Sequence, residues 1–197
     1  MKILFYGDSN TYGYDPRGPV PGRYDEKKIW PMIAGDCIAD SEVFIEALNG
    51  RRLPSSDFDF EVIFAAIDRC EEVDVLGIML GTNDYICSLM PEPDVVAAKM
   101  EDVIKKIKAK YPDLRILLIA PPPVKTATVC GMQKYDTTDG RLSKAYEKTA
   151  EKMGTYFFDA AKEPLSMAFD GVHLSEDGHR QLGRRIGEYI ESKLQKD

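Results

Sequence analysis

The sequence predicts an α/β protein: a three-layer α/β/α sandwich built on a five-stranded parallel sheet. Strand-like and helix-like segments alternate from one end of the chain to the other. One of the strand-like runs, Val73-Asp74-Val75-Leu76-Gly77-Ile78-Met79-Leu80, is almost continuously apolar, as strands covered on both faces are. No internal repeat, low-complexity tract or linker interrupts the 197 residues, so the expectation is one domain over 1–197.

The first strand is Ile3-Leu4-Phe5-Tyr6. It runs into the glycine-bounded turn Gly7-Asp8-Ser9-Asn10-Thr11-Tyr12-Gly13, with a serine at the bend. Residues 14–24 are rich in proline and glycine and read as loop. Trp30, Ile33, Ala34, Cys37 and Ile38 recur at helical spacing, and Pro31 suits a first turn. Val43 to Leu48 is a short β-prone run ending at Asn49-Gly50, and 51–56 is loop. Phe60 to Cys70 is an amphipathic helix with Asp57 or Asp59 as its cap. The central strand, 73–80, ends at Gly81-Thr82-Asn83-Asp84. A long helix from about Asp94 to Lys110 stops before Pro112, and Arg115 to Ala120 is the fourth strand, closed by Pro121-Pro122-Pro123. Residues 121–138 form the longest irregular stretch. A helix over 140–153, a strand from Thr155 to Asp159, a loop over 160–172 and a last helix from Ser175 or Glu176 to Leu194 complete the chain.

Parallel strands joined by right-handed crossovers put all their carboxyl ends on one edge. The turn at Ser9, the turn at Asn49-Gly50, the segment Gly81–Asp84 and the loop holding Asp170 and His173 should therefore gather on one rim, where open α/β sheets keep their ligand crevices.

Composition narrows what such a rim could serve. A net charge of −7 argues against a general binder of nucleic-acid phosphates. Cys37, Cys70, Cys87 and Cys130 form no CxxC pair, and with only two histidines no zinc-type cluster is available. The cysteines read as free, mostly packed thiols in a reducing compartment. The opening residues are too short an apolar run for a signal peptide, and no stretch is long enough to cross a bilayer. The expected location is cytoplasmic, with no membrane or nucleic-acid partner, no metal and no cofactor.

Nucleophilic acyl transfer needs a hydroxyl, a base, a group that orients the base, and donors for the oxyanion. Ser9 offers the hydroxyl, although a Ser/Asn/Thr turn after a strand is also a common helix cap. Scarcity points to the base. His179 lies inside the last helical pattern and reads as a partly exposed surface residue, whereas His173 lies in the loop before it. Asp170, three residues from His173 with Gly171 between, can reach the imidazole through one tight turn, although Asp-x-x-His also occurs as a plain loop before a helix. The N–H groups of Ser9 and Gly50 and the side chain of Asn83 are candidate oxyanion donors. Asn83 could equally close an Asx-turn, and Asn49-Gly50 a simple turn.

Gly7-Asp8-Ser9, Gly50, Gly81-Thr82-Asn83-Asp84 and Asp170-Gly171-Val172-His173 resemble, in order and across nearly the whole chain, the four sequence blocks of the SGNH, or GDSL, hydrolase superfamily. Gly-Asp-Ser-Asn-Thr-Tyr-Gly-Tyr, Ile78 to Asp84 and the triple proline are most similar to its bacterial arylesterase and acyltransferase branch. The resemblance implies a flavodoxin-like sandwich and a metal-free serine esterase. In it Ser9 is the nucleophile and His173 the general base, oriented by Asp170. Ser9, Gly50 and Asn83 form the oxyanion hole. It also implies assembly beyond a monomer, because relatives of that branch oligomerise through active-site loops. Asn10 replaces the leucine of the family's name, and Tyr12 and Tyr14 stand where the branch tends to carry tryptophan. These three are the candidate substrate-pocket residues.

The expected substrates are small, soluble, short-acyl esters, hydrolysed or used as acyl donors, because the loops at 12–24 and 121–138 look too short for a large lid. A carbohydrate O-acetyl esterase and a lysophospholipase or thioesterase are alternatives on the same machinery. A phosphate-binding protein of this fold is disfavoured, since no Walker-type or Gly-x-Gly-x-x-Gly spacing is present. A flavodoxin-like binding module would need no histidine on the rim.

Overall fold

The structure is a computed structural model that describes residues 1–18, 22–86, 92–126 and 136–194. In chain order the elements are β1 (Lys2–Gly7), α1 (Ser9–Tyr12), β2 (Tyr14–Asp15), β3 (Gly22–Arg23), α2 (Trp30–Asp36), β4 (Glu42–Ala47), α3 (Asp57–Arg69) and β5 (Val75–Met79). They continue as α4 (Thr82–Ile86), α5 (Pro93–Lys110), β6 (Arg115–Ala120), α6 (Arg141–Met153), β7 (Tyr156–Asp159) and α7 (Glu176–Lys193). Five strands form one sheet in the order β4-β1-β5-β6-β7, and every pairing is parallel. Counted along the chain this is the 2-1-3-4-5 order of flavodoxin-like folds, in which the direction of winding reverses between the first and third strands.

The strand period of two sorts the core into two layers. Leu4, Tyr6, Leu76, Ile78, Ile116 and Leu118 point to one face, where α3, α5 and α6 cover them with Ile63, Met100, Ile104 and Tyr146. Ile3, Phe5, Val75, Met79, Leu117 and Ile119 point to the other, beneath α2 and α7 with Trp30, Ala34, Leu182, Ile186 and Ile190. Burial on both faces explains why these strands read as unbroken apolar runs.

Three local readings change. The turns after β1 and β5 close into the short helices α1 and α4. The 14–24 loop contains the antiparallel ribbon β2–β3, with Tyr14 opposite Arg23. Helix α3 starts at Asp57, and its cap is Ser56, not Asp57 or Asp59. Asp59 is instead the reciprocal member of a capping box, its carboxylate accepting the Ser56 N–H at 2.9 Å. Of the cysteines, Cys70 is buried and Cys37 is exposed, both as free thiols. Cys87 and Cys130 lie outside the described residues, as do parts of the 14–24 and 121–138 loops.

The largest revision concerns His179, which is fully buried and not a surface residue. Its Nδ1 accepts the N–H of Trp30 at 3.2 Å. Trp30 opens α2, a helix whose own N-cap offers no side-chain acceptor, so the imidazole satisfies a donor that the helix end leaves free. Burial pushes the His179 pKa down to about 3, which keeps the ring neutral and able to accept.

Helices α2 and α7 meet almost backbone to backbone, and glycine makes this possible. A Cβ at Gly183 would lie 2.7 Å from the Trp30 carbonyl oxygen, and one at Gly187 2.7 Å from that of Ala34. These obstacles are main-chain atoms, which cannot turn aside as a long side chain can. Gly183→Ala should therefore lose about 1–3 kcal/mol of stability despite alanine's better helix propensity, as overpacking does. Urea unfolding measures the loss, and an unchanged or raised midpoint would contradict the close-approach account.

Candidate active site

Strand β1 lies between β4 and β5 with Gly7 opposite both Ala47 and Met79, so the three strands end level. The segments leaving these strand ends must meet at the reversal of winding, the place where this fold opens a crevice. After β1 the chain turns sharply into α1. Asp8 is the N-cap, its Oδ1 accepting the Asn10 N–H at 2.9 Å, and Gly13 ends the helix in the left-handed region. Ser9 is the first residue of this short helix and is 8% exposed.

The loop between β7 and α7 delivers two more residues to the same spot. Asp170 Oδ1 accepts the N–H groups of Val172 and His173 at 2.9 and 3.0 Å, and its Oδ2 lies 2.6 Å from His173 Nδ1. His173 Nε2 lies 3.0 Å from Ser9 Oγ. Gly171 takes φ +67°, and a Cβ there would fall on the Lys125 carbonyl oxygen, so only glycine fits this turn. Burial alone would raise the Asp170 pKa, but the imidazole and the two backbone N–H groups outweigh it and hold the carboxyl below its ordinary value.

On the other side of Ser9 stand Gly50 and Asn83. Gly50 adopts φ +75° with open space where a Cβ would be. Asn83 lies in the first turn of α4, and its Nδ2 donates to the Arg51 carbonyl at 3.0 Å. Arg51 did not stand out in the sequence, yet it ties this side together. Its guanidinium donates to the Glu46 carbonyl at 2.7 Å and the Glu46 carboxylate at 2.8 Å, and stacks on Tyr6 at 4.2 Å. Asp84, also in α4, accepts the Leu53 N–H at 2.9 Å and so anchors the far end of the same loop.

Ser9, Gly50, Asn83 and His173 line one cavity of about 290 Å³, joined by Tyr14, Ile86 and Val172. The Tyr14 ring lies 4.5 Å from that of His173. Tyr12 stands apart: it does not line this cavity, and its ring lies beneath the Arg23 guanidinium at 4.8 Å. Asn10 reaches the wall, but both ends of its amide are bonded to the His173 loop. A larger cleft of about 510 Å³, between Asp68, Asp74 and Tyr111, lies at the opposite edge of the sheet and contains none of these residues. Among the described residues no group of three or more His, Cys, Asp or Glu side chains is placed to hold a metal ion. No helix among them is long and apolar enough to cross a membrane.

The architecture is the flavodoxin-like α/β sandwich of SGNH hydrolases. The native aryl esterase of M. smegmatis superposes with a TM-score of 0.83 at 26% identity, covering 97% of this chain and 98% of that one. Est24, a carbohydrate acetylesterase of Sinorhizobium meliloti, shares the fold with a TM-score of 0.85 at 24% identity over 97% of this chain and 98% of its own. In sequence, a GDSL lipase of Mycobacterium tuberculosis is 27% identical over 98% of this chain and 82% of its own length. The chain belongs to the GDSL-like lipase/acylhydrolase family, whose model matches residues 5–181. It is accordingly an ester hydrolase.

Asp8, directly beneath Ser9, carries a cost. It is 2% exposed, and burial pushes its pKa up from 3.8 to about 6 against the opposing pull of the Asn10 N–H and the nearby His173 and Arg51 charges. The folded protein thus holds the Asp8 proton more tightly than the unfolded chain, so this group's contribution to stability falls as pH rises from 3.8 to about 6. Asparagine caps a helix equally well and carries no charge to bury. Asp8→Asn should therefore be the more stable protein at pH 7, by on the order of 3 kcal/mol. The advantage should shrink by about 1.4 kcal/mol per pH unit on acidification through that window. Urea unfolding at pH 4, 5, 6 and 7 checks this, and a difference that does not change with pH would refute it.

Proposed function

We propose that the protein is a serine esterase that cleaves small, soluble, short-acyl carboxylic esters through an acyl-enzyme. The observation that carries this reading is the hydrogen-bonded series Ser9 Oγ, His173, Asp170, with spacings of 3.0 and 2.6 Å, at the wall of the rim cavity. Ser9 Oγ attacks the ester carbonyl carbon while His173 Nε2 takes its proton. Asp170 holds the ring with Nε2 free to accept and stabilises the imidazolium that forms. The carbonyl oxygen, now an anion, receives the Ser9 and Gly50 N–H groups and the Asn83 amide. Asn83 Nδ2 donates to the Arg51 carbonyl at 3.0 Å and, at a longer 3.5 Å, to Asp8 Oδ2; its second hydrogen turns from Asp8 to the oxyanion. Collapse expels the alcohol, which takes the proton from His173. Water, or a second alcohol in acyl transfer, then repeats the sequence on the acyl-enzyme and frees Ser9.

A cavity of about 290 Å³ is at the small end for ligand pockets, which favours short acyl groups over lipid chains. A series of p-nitrophenyl esters tests this: turnover should fall from acetate and butyrate to the long acyl chains, and the reverse order would overturn the preference. Release of acetate from acetylated xylan in preference to the simple esters would instead assign a carbohydrate esterase.

Ser9→Ala and His173→Ala should each abolish nearly all turnover and leave the circular dichroism spectrum unchanged, since both residues lie on the rim. Asn83→Ala should lower kcat about 10²–10³-fold, the cost of one oxyanion donor. An organophosphonate should label the wild type at Ser9. Wild-type activity in Asn83→Ala would remove this residue from the oxyanion hole.

A further inference from the structure

Both polar atoms of the Asn10 side chain are engaged by the loop that carries His173. Its Oδ1 accepts the Leu174 N–H at 2.8 Å, and its Nδ2 donates to the Val172 carbonyl at 3.1 Å. The amide thus grips the main chain immediately before and immediately after the histidine. Its orientation is set by its partners, because an N–H requires the oxygen and a carbonyl requires the nitrogen. Asn10 is 4% exposed, so water competes poorly for either bond.

Asn10 also comes directly after Ser9 on α1, and its own N–H is held by Asp8 at 2.9 Å. Ser9 and the clamp therefore belong to one capped turn. Other backbone ties of the loop run elsewhere, from the Lys125 N–H to Gly171 at 2.9 Å and from the Ala168 N–H to His173 at 2.7 Å. Those bonds shape the loop and dock it beside the segment after β6. Besides the His173–Ser9 contact itself, at 3.0 Å, the Asn10 amide joins it to the turn bearing Ser9. A leucine here, as in the family's name, could make neither bond and would leave a buried N–H and a carbonyl without this partner.

We infer that Asn10 is a positioning residue, which sets the approach of His173 to Ser9 by clamping the chain on both sides of the histidine. The inference rests on the reading of Ser9 as nucleophile and His173 as its base. It replaces the expectation that Asn10 selects the substrate, since its polar atoms are committed to the protein.

The test uses Asn10→Ala, which removes both bonds. The second variant, Asn10→Asp, has the same shape, keeps an acceptor for Leu174 and loses the donor to Val172. With p-nitrophenyl acetate, kcat should fall about 10- to 100-fold in Asn10→Ala, the scale on which small misplacements of catalytic groups act. KM should stay within about threefold of the wild type, since substrate contacts are not removed. Asn10→Asp should fall between the two. Phosphonylation of Ser9 should slow by the same factor as kcat. The downfield proton NMR signal of the His173–Asp170 hydrogen bond should broaden or shift upfield, which a loss of global stability alone would not cause in a folded sample. Folded variants with kcat within about twofold of the wild type, or with the whole effect in KM, would overturn the inference and return Asn10 to the substrate pocket. A wild-type protein that takes no phosphonate, or a Ser9→Ala variant that turns over normally, would defeat the nucleophile reading and this inference with it.

Discussion

Parallel pairing of β1 between β4 and β5 is the constraint on which the rest of this molecule depends. The register sets Ala47, Gly7 and Met79 level, so the segments beyond these strand ends are brought together by backbone hydrogen bonds before any side chain is considered. Ser9 comes two residues after the end of β1, Gly50 three after β4, and Asn83 four after β5. A sheet with another strand order would scatter the same residues along the edge. In the 2-1-3-4-5 order they flank the point where helices leave for opposite faces, and the gap between the departing chains is the crevice.

Holding polar groups at such a junction is costly, and the structure meets the cost in different ways on its two sides. Around Gly50, Arg51 and Glu46 form a pair in which the guanidinium also binds a main-chain carbonyl and stacks on Tyr6, so a largely buried charge is both paired and hydrogen-bonded. Around Ser9, the Asp8 carboxylate has no such cation at hydrogen-bond distance among the described residues, and its raised pKa records the desolvation that remains. Asp170 shows the opposite balance, with two N–H groups and an imidazole outweighing its partial burial. Two aspartates a short distance apart are thus pushed in opposite directions by their surroundings.

Most of the fold is legible in the sequence. Periods of 3.6 and 2, together with proline and glycine punctuation, located the five sheet strands and the five longer helices to within a few residues. The rim followed from parallel connectivity alone. The readings that changed share a physical cause. Short helices such as α1 and α4 have too few residues to show a period, and ribbon β2–β3 is two residues per strand. Ser56, Asp57 and Asp59 all suit a helix start by residue type, and local geometry makes the choice of Ser56. His179 reads as exposed because its stripe on α7 includes Gly183 and Gly187, which score as neutral although both lie against the main chain of α2. Arg51 and the grip of Asn10 on the 172–174 backbone were invisible for another reason. Asn10's partners and some of Arg51's are main-chain atoms, distant in sequence in Asn10's case, and backbone groups leave no trace in residue identity.

The loop before α7 shows how these levels combine. An imidazole on a surface loop would sample many positions, and a base that must meet a hydroxyl at hydrogen-bond distance cannot. Here the loop has no regular structure, yet nearly every residue from Ala168 to Ser175 has a backbone or side-chain tie. Asp170 folds it on itself, Gly171 lets it pass against Lys125, and Ser175 ends it by capping α7. Entropy lost in fixing such a stretch is large, of order 1–2 kcal/mol per residue. It is offset by bonds made mostly between groups of the loop itself, so they form only when the loop is in register. The loop's own bonds thus fix its internal shape, and with it the orientation of the imidazole relative to Asp170. The connection to the turn bearing Ser9 then decides where on the rim that shaped loop, and the histidine on it, stands.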